Sequence, residues 1–214
     1  MKGKQWLEHD NPNAVGMTGL LGYGGCWEAI NHCDVLLMLG TDFPFAEFLP
    51  HAKVKTIQVD RDARHLGRRA PLELGVTGDV QATVAALLPM VQEKPGDTFL
   101  REHVTKTERF GETLQHYVTK GPRIRPIRPE YLAAVLSELA DDDALFFADT
   151  GTACIWAARH ITYGAERRLF GSFSWASMAN ARPNRLARSW LFPAGRRSRC
   201  AVMAASRCLP WVSC

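Results

Sequence analysis

Short apolar runs alternate along the chain with longer stretches in which apolar residues recur every three or four positions. Asp34–Gly40 reads DVLLMLG, an unbroken apolar run closed by glycine, which predicts a strand buried on both faces. Lys55–Asp60 (KTIQVD) predicts a second strand and Leu74–Val76 a third. Asp79 is placed to N-cap a helix running to Val91, with Val84, Leu87, Leu88 and Val91 on one face. Residues 98–117 are polar and predicted helical, whereas Asp10–Gly25, rich in Gly, Asn and Pro, predicts loops around a short helical turn. Gly121, Pro122, Pro126 and Pro129, set among arginines, mark a linker over 121–129. Beyond it Pro129 opens a helix to Leu139, Ala144–Ala148 (ALFFA) predicts a buried strand, Thr152–His160 a helix and Leu169–Gly171 a further strand. Strands that alternate with helices predict an α/β fold with parallel sheets.

Composition narrows the class. The 214 residues are 46% hydrophobic, enough to build a core. No apolar run is long enough to span a bilayer, and the N-terminus lacks the apolar stretch of a signal peptide, so the expected location is the cytoplasm. The net charge of +4 misleads, because residues 182–214 carry seven arginines and no Lys, Asp or Glu. Without those seven charges residues 1–181 stand at −3, which gives no invitation to nucleic acid. Cys26, Cys33, Cys154, Cys200, Cys208 and Cys214 form no C-x-x-C pair, so reduced, buried thiols are expected rather than a zinc or redox motif. His51, His65 and His160 have no partner at metal-ligand spacing, and Arg61, Arg64, Arg68 and Arg69 read as a solvated helix face.

The first candidate chemistry is a strand, a glycine turn, a second strand and an acid. Gly40-Thr41-Asp42 follows the first strand, and Asp60 ends the next, twenty residues after Gly40. In nucleotide-binding α/β sheets ligands lie beyond the carboxyl ends of the strands, where an acid accepts hydrogen bonds from ribose hydroxyls and a glycine turn admits phosphate. The G-x-G-x-x-G pattern is missing after the strand, while Gly19, Gly22, Gly24 and Gly25 form a separate loop upstream. These residues fit either a nucleotide site or ordinary α/β turn chemistry. Asp149-Thr150-Gly151-Thr152 repeats the arrangement later in the chain, where Asp149 also fits the plain role of an acid at a helix start.

Three stretches resemble the flavin-binding thiamine-diphosphate-dependent enzymes, with the pyruvate oxidase and quinone-dependent pyruvate dehydrogenase branch nearest. They are Asn11-Pro12 through Gly22, Leu39–Pro44 continuing to Ile57–Asp60, and Trp156–Arg159 with Arg167–Phe173 and Ser177–Ala181. The resemblance implies a Rossmann-like, parallel-sheet central domain that binds flavin, over residues 1–120. It further implies the linker 121–129 and the start of a second α/β domain, which binds thiamine diphosphate, over 130–184. It assigns flavin contacts to Thr18, Gly19, Leu20 and Leu21, to Thr41, Asp42, Phe43, Pro44 and Phe45, and to Asp60. It assigns thiamine contacts to Ala176, Ser177 and Met178, where the family pattern often has glycine in place of Ala176. The implied parent enzyme decarboxylates pyruvate oxidatively with FAD, thiamine diphosphate and Mg2+, passes electrons to quinone or oxygen, and assembles as a homotetramer in the cytoplasm or at the inner face of the cell membrane. The glutamate that activates thiamine lies in the family's first domain, so no catalytic residue is assigned here. The alternatives are a fragment of acetohydroxyacid (acetolactate) synthase, in which flavin is bound without net redox, and a non-enzymatic flavin-binding remnant.

The tail departs from this pattern. Family members follow Met178-Ala179-Asn180-Ala181 with a Met-Pro pair, an apolar helix and a strand ending in a Gly-Asp-Gly motif whose Asp binds magnesium. Here no carboxylate follows Ala181, so no metal ligand is assigned. With ordinary codons read from the third base of codon 185, the tail gives LGAILAFPGGKTVAMCGDGG, the expected helix, strand and metal motif. Residues 185–214 are therefore read as out of frame. They are expected not to pack, leaving Phe146, Phe147 and Asp149 beside an unfinished, aggregation-prone sheet, and the chain alone is expected to be inactive.

Overall fold

A computed structural model describes residues 3–7, 10–50, 53–164 and 166–181, together with the backbone of 200–203. The chain forms two compact units, Val15–Thr107 and Met1–Ala14 with Glu108–Cys214. A short helix α1 (Lys4–Leu7) precedes the first of these along the sequence. The fold is α/β, Rossmann-like, with a parallel sheet in each unit. Among the described residues no helix is long and apolar enough to cross a membrane.

In Val15–Thr107, helix α2 (Cys26–His32) leads into β1 (Val35–Leu39), which pairs in parallel with β2 (Lys55–Asp60), and β2 pairs in parallel with β3 (Leu74–Thr77). The register sets Leu37 opposite Ile57 and Ile57 opposite Leu74. The middle strand β2 alternates. Thr56, Gln58 and Asp60 share one face, as the two-residue strand period requires, and all three are buried. After β3 the Gly78 N–H donates to the Asp60 carbonyl at 2.9 Å, and Asp79 caps helix α3 (Val80–Leu87) by accepting from the Ala82 N–H at 3.1 Å. The α-helix stops at Leu87 and a 3-10 turn, Leu88–Met90, follows. Pro89 cannot supply the N–H that a further α turn needs. Helix α4 (Thr98–Lys120) then leaves this unit for the other.

Two expectations fail in this unit. β1 is an edge strand, with Val35, Leu37 and Leu39 exposed by 48%, 39% and 38%. An apolar run specifies a strand but not its place in the sheet. The helix expected to run to Val91 ends at Leu87, so Leu88 and Val91 lie outside it, and Val84, Leu87, Leu88 and Val91 are all exposed.

In the other unit a 3-10 turn, Gly121–Arg123, precedes helix α5 (Pro129–Leu139), followed by β4 (Leu145–Ala148), helix α6 (Thr152–His160) and β5 (Arg168–Phe170). Phe146 is fully buried on β4 and meets the Tyr163 ring edge to face at 6.2 Å, while the Tyr163 hydroxyl donates to the Ala157 carbonyl at 3.0 Å. The end of α5 is closed by Arg167. Its guanidinium donates to the carbonyls of Ser137 at 3.0 Å, Ala140 at 2.6 Å and Asp141 at 3.1 Å, satisfying groups that a helix C-terminus leaves without partners.

The tail corrects a third expectation. Cys200–Met203 form β6, which pairs in parallel with β4, setting Phe146 opposite Ala201, so the sheet order is β5-β4-β6. β4 is thus central, and its second edge is taken. Parallel pairing uses backbone groups, and CAVM is a short apolar stretch free of proline and charge, so it fits whichever frame encoded it. The remainder of the out-of-frame reading, 185–199 and 204–214, lies outside the described residues.

Between β5 and the end of the described body, Ala176 and Ala179 adopt left-handed backbone, with φ of 51° and 57°. An L-residue there costs roughly 1–2 kcal/mol, which glycine does not incur. Against the ~0.4–1 kcal/mol by which glycine loosens the unfolded chain, Ala176→Gly is expected to stabilise the protein by about 0.5–1 kcal/mol in urea unfolding. A loss of stability in A176G would contradict the left-handed assignment. In the first unit, Asp79→Ala is expected to cost about 1 kcal/mol through the lost cap, with Asp79→Asn nearly neutral, read by the same denaturation curves.

Candidate functional site

Three loops meet at the carboxyl edge of the β1-β2-β3 sheet. The first, 16–25, is closed by an antiparallel bridge between Met17 and Tyr23, with the Gly22 N–H donating to the Gly19 carbonyl at 2.8 Å. Gly16 must be glycine, since its φ is 92° and a Cβ would fall 2.2 Å from the Tyr23 carbonyl oxygen. The second loop follows β1 from Gly40, and the third follows β2 from Asp60.

Specific contacts join them. The Thr18 hydroxyl donates to the Phe48 carbonyl at 3.3 Å, and a Cβ on Gly19 would lie 3.0 Å from the Phe43 ring. Phe43, Phe45, Phe48 and Trp27 continue as an edge-to-face series with centroids 5.8–6.3 Å apart. Asp42 accepts from Arg68 Nη1 at 3.0 Å and Arg69 Nε at 3.1 Å, fastening the second loop to the third. Of the four arginines predicted to form a solvated helix face, Arg61, Arg64 and Arg68 are exposed, but three of the four hold a carboxylate. Arg68 and Arg69 bridge loops, and Arg64 pairs with Asp62, holding that carboxyl well below its usual range. His65 is a partner of Asp60. His51 lies outside the described residues.

Asp60 is the last residue of β2 and only 8% exposed. Its Oδ1 accepts from the Asp62 N–H at 2.9 Å and from His65 Nδ1, which therefore carries the hydrogen, at 3.2 Å. The other carboxylate oxygen has no hydrogen-bond partner among the described residues. Of the remaining sequence-predicted residues, Leu20 and Pro44 are exposed, and Leu21, Thr41, Asp42, Phe43 and Phe45 are half-buried. Thr18, Gly19, Thr41, Asp42, Phe43 and Asp60 thus belong to one connected set of loops.

Gln58 was not singled out from the sequence, yet it organises the edge. Its Nε2 donates to the Thr41 carbonyl at 3.1 Å while its Oε1 accepts from the Gly67 N–H at 3.1 Å. The available signal was a lone amide in the middle of a strand predicted to be buried. Among the described residues Cys26, Cys33 and Cys154 form no disulfide, the first two half-buried and the third buried, and burial pushes all three up from the usual thiol range.

Ala176, Ser177 and Met178 belong to the other unit, on the loop after β5. All three are exposed, Met178 by 67%, and Trp175 beside them by 88%. Among the described residues no three His, Cys, Asp or Glu side chains gather as metal ligands.

Residues 1–87 match the family described as thiamine pyrophosphate enzyme, central domain. A putative thiamine pyrophosphate-containing protein YdaP of Bacillus subtilis is 30% identical over 84% of this chain and 31% of its own length. An acetolactate synthase of Mycobacterium bovis is 29% identical over 79% of this chain and 28% of its own. A pyruvate oxidase of Lactiplantibacillus plantarum is 26% identical over 78% of this chain and 28% of its own. The chain spans about a quarter to a third of the length of the curated relatives it matches. Its α/β fold and these matches together make residues 1–87 a relative of the central domains of thiamine pyrophosphate enzymes, and 78–84% of the chain similar to proteins of that thiamine-dependent group.

Proposed function

We propose that this chain is the flavin-binding part, with the beginning of the thiamine-diphosphate part, of an enzyme that oxidatively decarboxylates pyruvate, of the pyruvate oxidase or quinone-dependent pyruvate dehydrogenase kind. The observation that carries the flavin reading is Asp60, a buried carboxylate at the carboxyl end of the middle strand with one oxygen committed to the protein and the other uncommitted. Such an oxygen suits a ribose hydroxyl. The residues fit FAD in two further ways. Gly40, with φ of 60°, turns the chain immediately after β1, and Gly19 leaves room against Phe43 that a side chain would fill.

In this reading Asp60 holds the ribose, the loops 16–25 and 40–45 hold the rest of the dinucleotide, and Ala176-Ser177-Met178 face the thiamine moiety. Thiamine diphosphate with magnesium supplies the means to cleave the bond to the carboxylate, and FAD supplies the means to take up two electrons. The protein's share is to place these groups and exclude water. The whole enzyme would pass electrons to quinone or oxygen and work as a homotetramer in the cytoplasm or at the inner membrane face. The second reading, an acetolactate synthase, is favoured by the slightly higher identity to the Mycobacterium bovis protein, 29% against 26%. Assaying the uninterrupted product of the gene for acetate with quinone against acetolactate without an acceptor separates the two. Sequencing the gene across codons 180–190 tests the proposal that residues 185–214 are read out of frame.

Two outcomes are expected of the 214-residue chain. It should bind FAD, with quenching of flavin fluorescence, and Asp60→Ala should weaken binding tenfold to a hundredfold, since a hydrogen bond to a charged acceptor is worth roughly 1.5–3 kcal/mol. Equal affinity for D60A and the parent chain, with both folded by circular dichroism, would remove Asp60 from the site. Supplied with thiamine diphosphate, magnesium, FAD and labelled pyruvate, the chain should release no carbon dioxide, because no carboxylate follows Ala181 to hold the metal. Measurable release would overturn that account of the tail.

A further inference from the structure

The loop from Gly171 to Ala181 is fastened at both ends to consecutive residues at the carboxyl end of β4. At one end Gly171 sits so close that a Cβ would lie 3.0 Å from the Ala148 carbonyl oxygen and 2.8 Å from the Phe173 ring. At the other end the buried Ala181 N–H donates to Asp149 Oδ1 at 2.8 Å, across 32 residues of sequence. Asp149 is itself only 2% exposed, and its carbonyl accepts from the Cys154 thiol at 3.0 Å, which ties it to the first turn of α6. Burial pushes that thiol up, so it keeps the hydrogen it donates.

Between these ends the backbone is held in an unfavourable path. Ala176 and Ala179 are both left-handed, the Ala176 N–H donates to the Ser172 carbonyl at 2.7 Å, and Asn180 Nδ2 donates to the Ser177 carbonyl at 2.6 Å. Alanine does not choose this conformation, so the surroundings must impose it. The cost falls where Trp175, Ala176, Ser177 and Met178 are exposed, a face with little packing among the described residues to hold it in place.

We propose that Asp149 is the positioning residue of this loop: its carboxylate, by holding the Ala181 N–H, fixes the strained path that presents Ala176-Ser177-Met178 at the carboxyl end of β4. The purpose of that presentation rests on the thiamine reading of the three residues; the tether rests on the geometry. Asp149 touches no reacting group and acts through the backbone of the loop alone. An acceptor at Oδ1 is what the role needs, so asparagine can fill it and alanine cannot.

Amide exchange of the full 214-residue chain tests this without any cofactor, so its failure leaves the thiamine reading standing and the failure of that reading leaves the exchange pattern unchanged. In Asp149→Ala, exchange across 172–181, including the Ala181 amide, should accelerate tenfold or more, while α5 (129–139) stays within twofold of the parent chain. Asp149→Asn should keep parent-like protection, which also serves where D149A does not fold. Adding Ala176→Gly and Ala179→Gly relieves the strain, so removing Asp149 in that background should accelerate the loop markedly less. Unchanged loop exchange in D149A, equal acceleration of loop and α5, or D149N behaving like D149A would each overturn the proposal.

Discussion

The carboxamide of Gln58, buried on the middle strand of the first unit, donates to the loop after β1 and accepts from the loop after β2. Both bonds go to backbone groups that water could otherwise satisfy. Each is therefore modest in net terms, about 0.5–1.5 kcal/mol, whereas leaving either group buried without a partner costs about 1–3 kcal/mol. The asymmetry makes Gln58 a constraint more than a source of stability. Loops that drift from it strand an amide in the interior, so Thr41 and Gly67 stay in place and with them Asp42, Arg68 and Arg69. The strand period does the rest. Thr56, Gln58 and Asp60 lie on the same face, so the residue that fixes the loops and the acid at the strand end are in one row.

Both units use an acid at the carboxyl end of their middle strand, but to different ends. Asp60 spends one oxygen locally, on the N–H two residues ahead and on His65 five residues ahead, and shapes the turn it belongs to. Asp149 reaches a residue 32 positions away and shapes a loop that begins on another strand. A local bond forms with little chain entropy at stake, whereas closing a long segment carries a larger cost and needs other contacts already formed. Pairing of β4 with β5 and the close fit of Gly171 provide them. Two similar strand-acid-glycine patterns thus acquire different roles from what the rest of the chain brings to them.

The same difference explains what was legible in the sequence. Five strands and the helices between them follow from runs of apolar residues, from Asp79 at a helix start and from prolines at helix ends, because these signals act within a few residues. β1 illustrates the limit. Its composition suits a central strand, yet its position at the edge depends on which strands are available to pair with it. The Asp42 clamp was equally hidden, because Arg68 and Arg69 lie 26 and 27 residues beyond it and only the parallel crossover brings them together. The buried amide of Gln58 carried a readable signal, a polar residue at an inward strand position. The left-handed backbone of Ala176 was half-legible, since the family pattern suggests glycine there and the chain retains the conformation without the residue that suits it.

Backbone pairing and metal chemistry make unequal demands on sequence, and the tail exposes the difference. A four-residue parallel strand needs free N–H and C=O groups, no proline and no charge, and many unrelated tetrapeptides meet that description. CAVM does, and β6 takes its place against β4. The site at the end of such a strand is far less tolerant, because a hard divalent cation needs anionic oxygen at a defined position and no apolar or guanidinium side chain substitutes for it. Residues 182–214 contain no such oxygen in any side-chain carboxylate. The sheet can therefore gain its third strand from a stretch of chain that offers a divalent cation no side-chain carboxylate, and the demands of fold and of metal binding separate within it. Asp149 does not fill the gap, since it is buried and its oxygen is engaged with Ala181. Drawing that oxygen onto a cation would free the strained loop that carries Ala176, Ser177 and Met178, so this acid is committed to the shape of the loop.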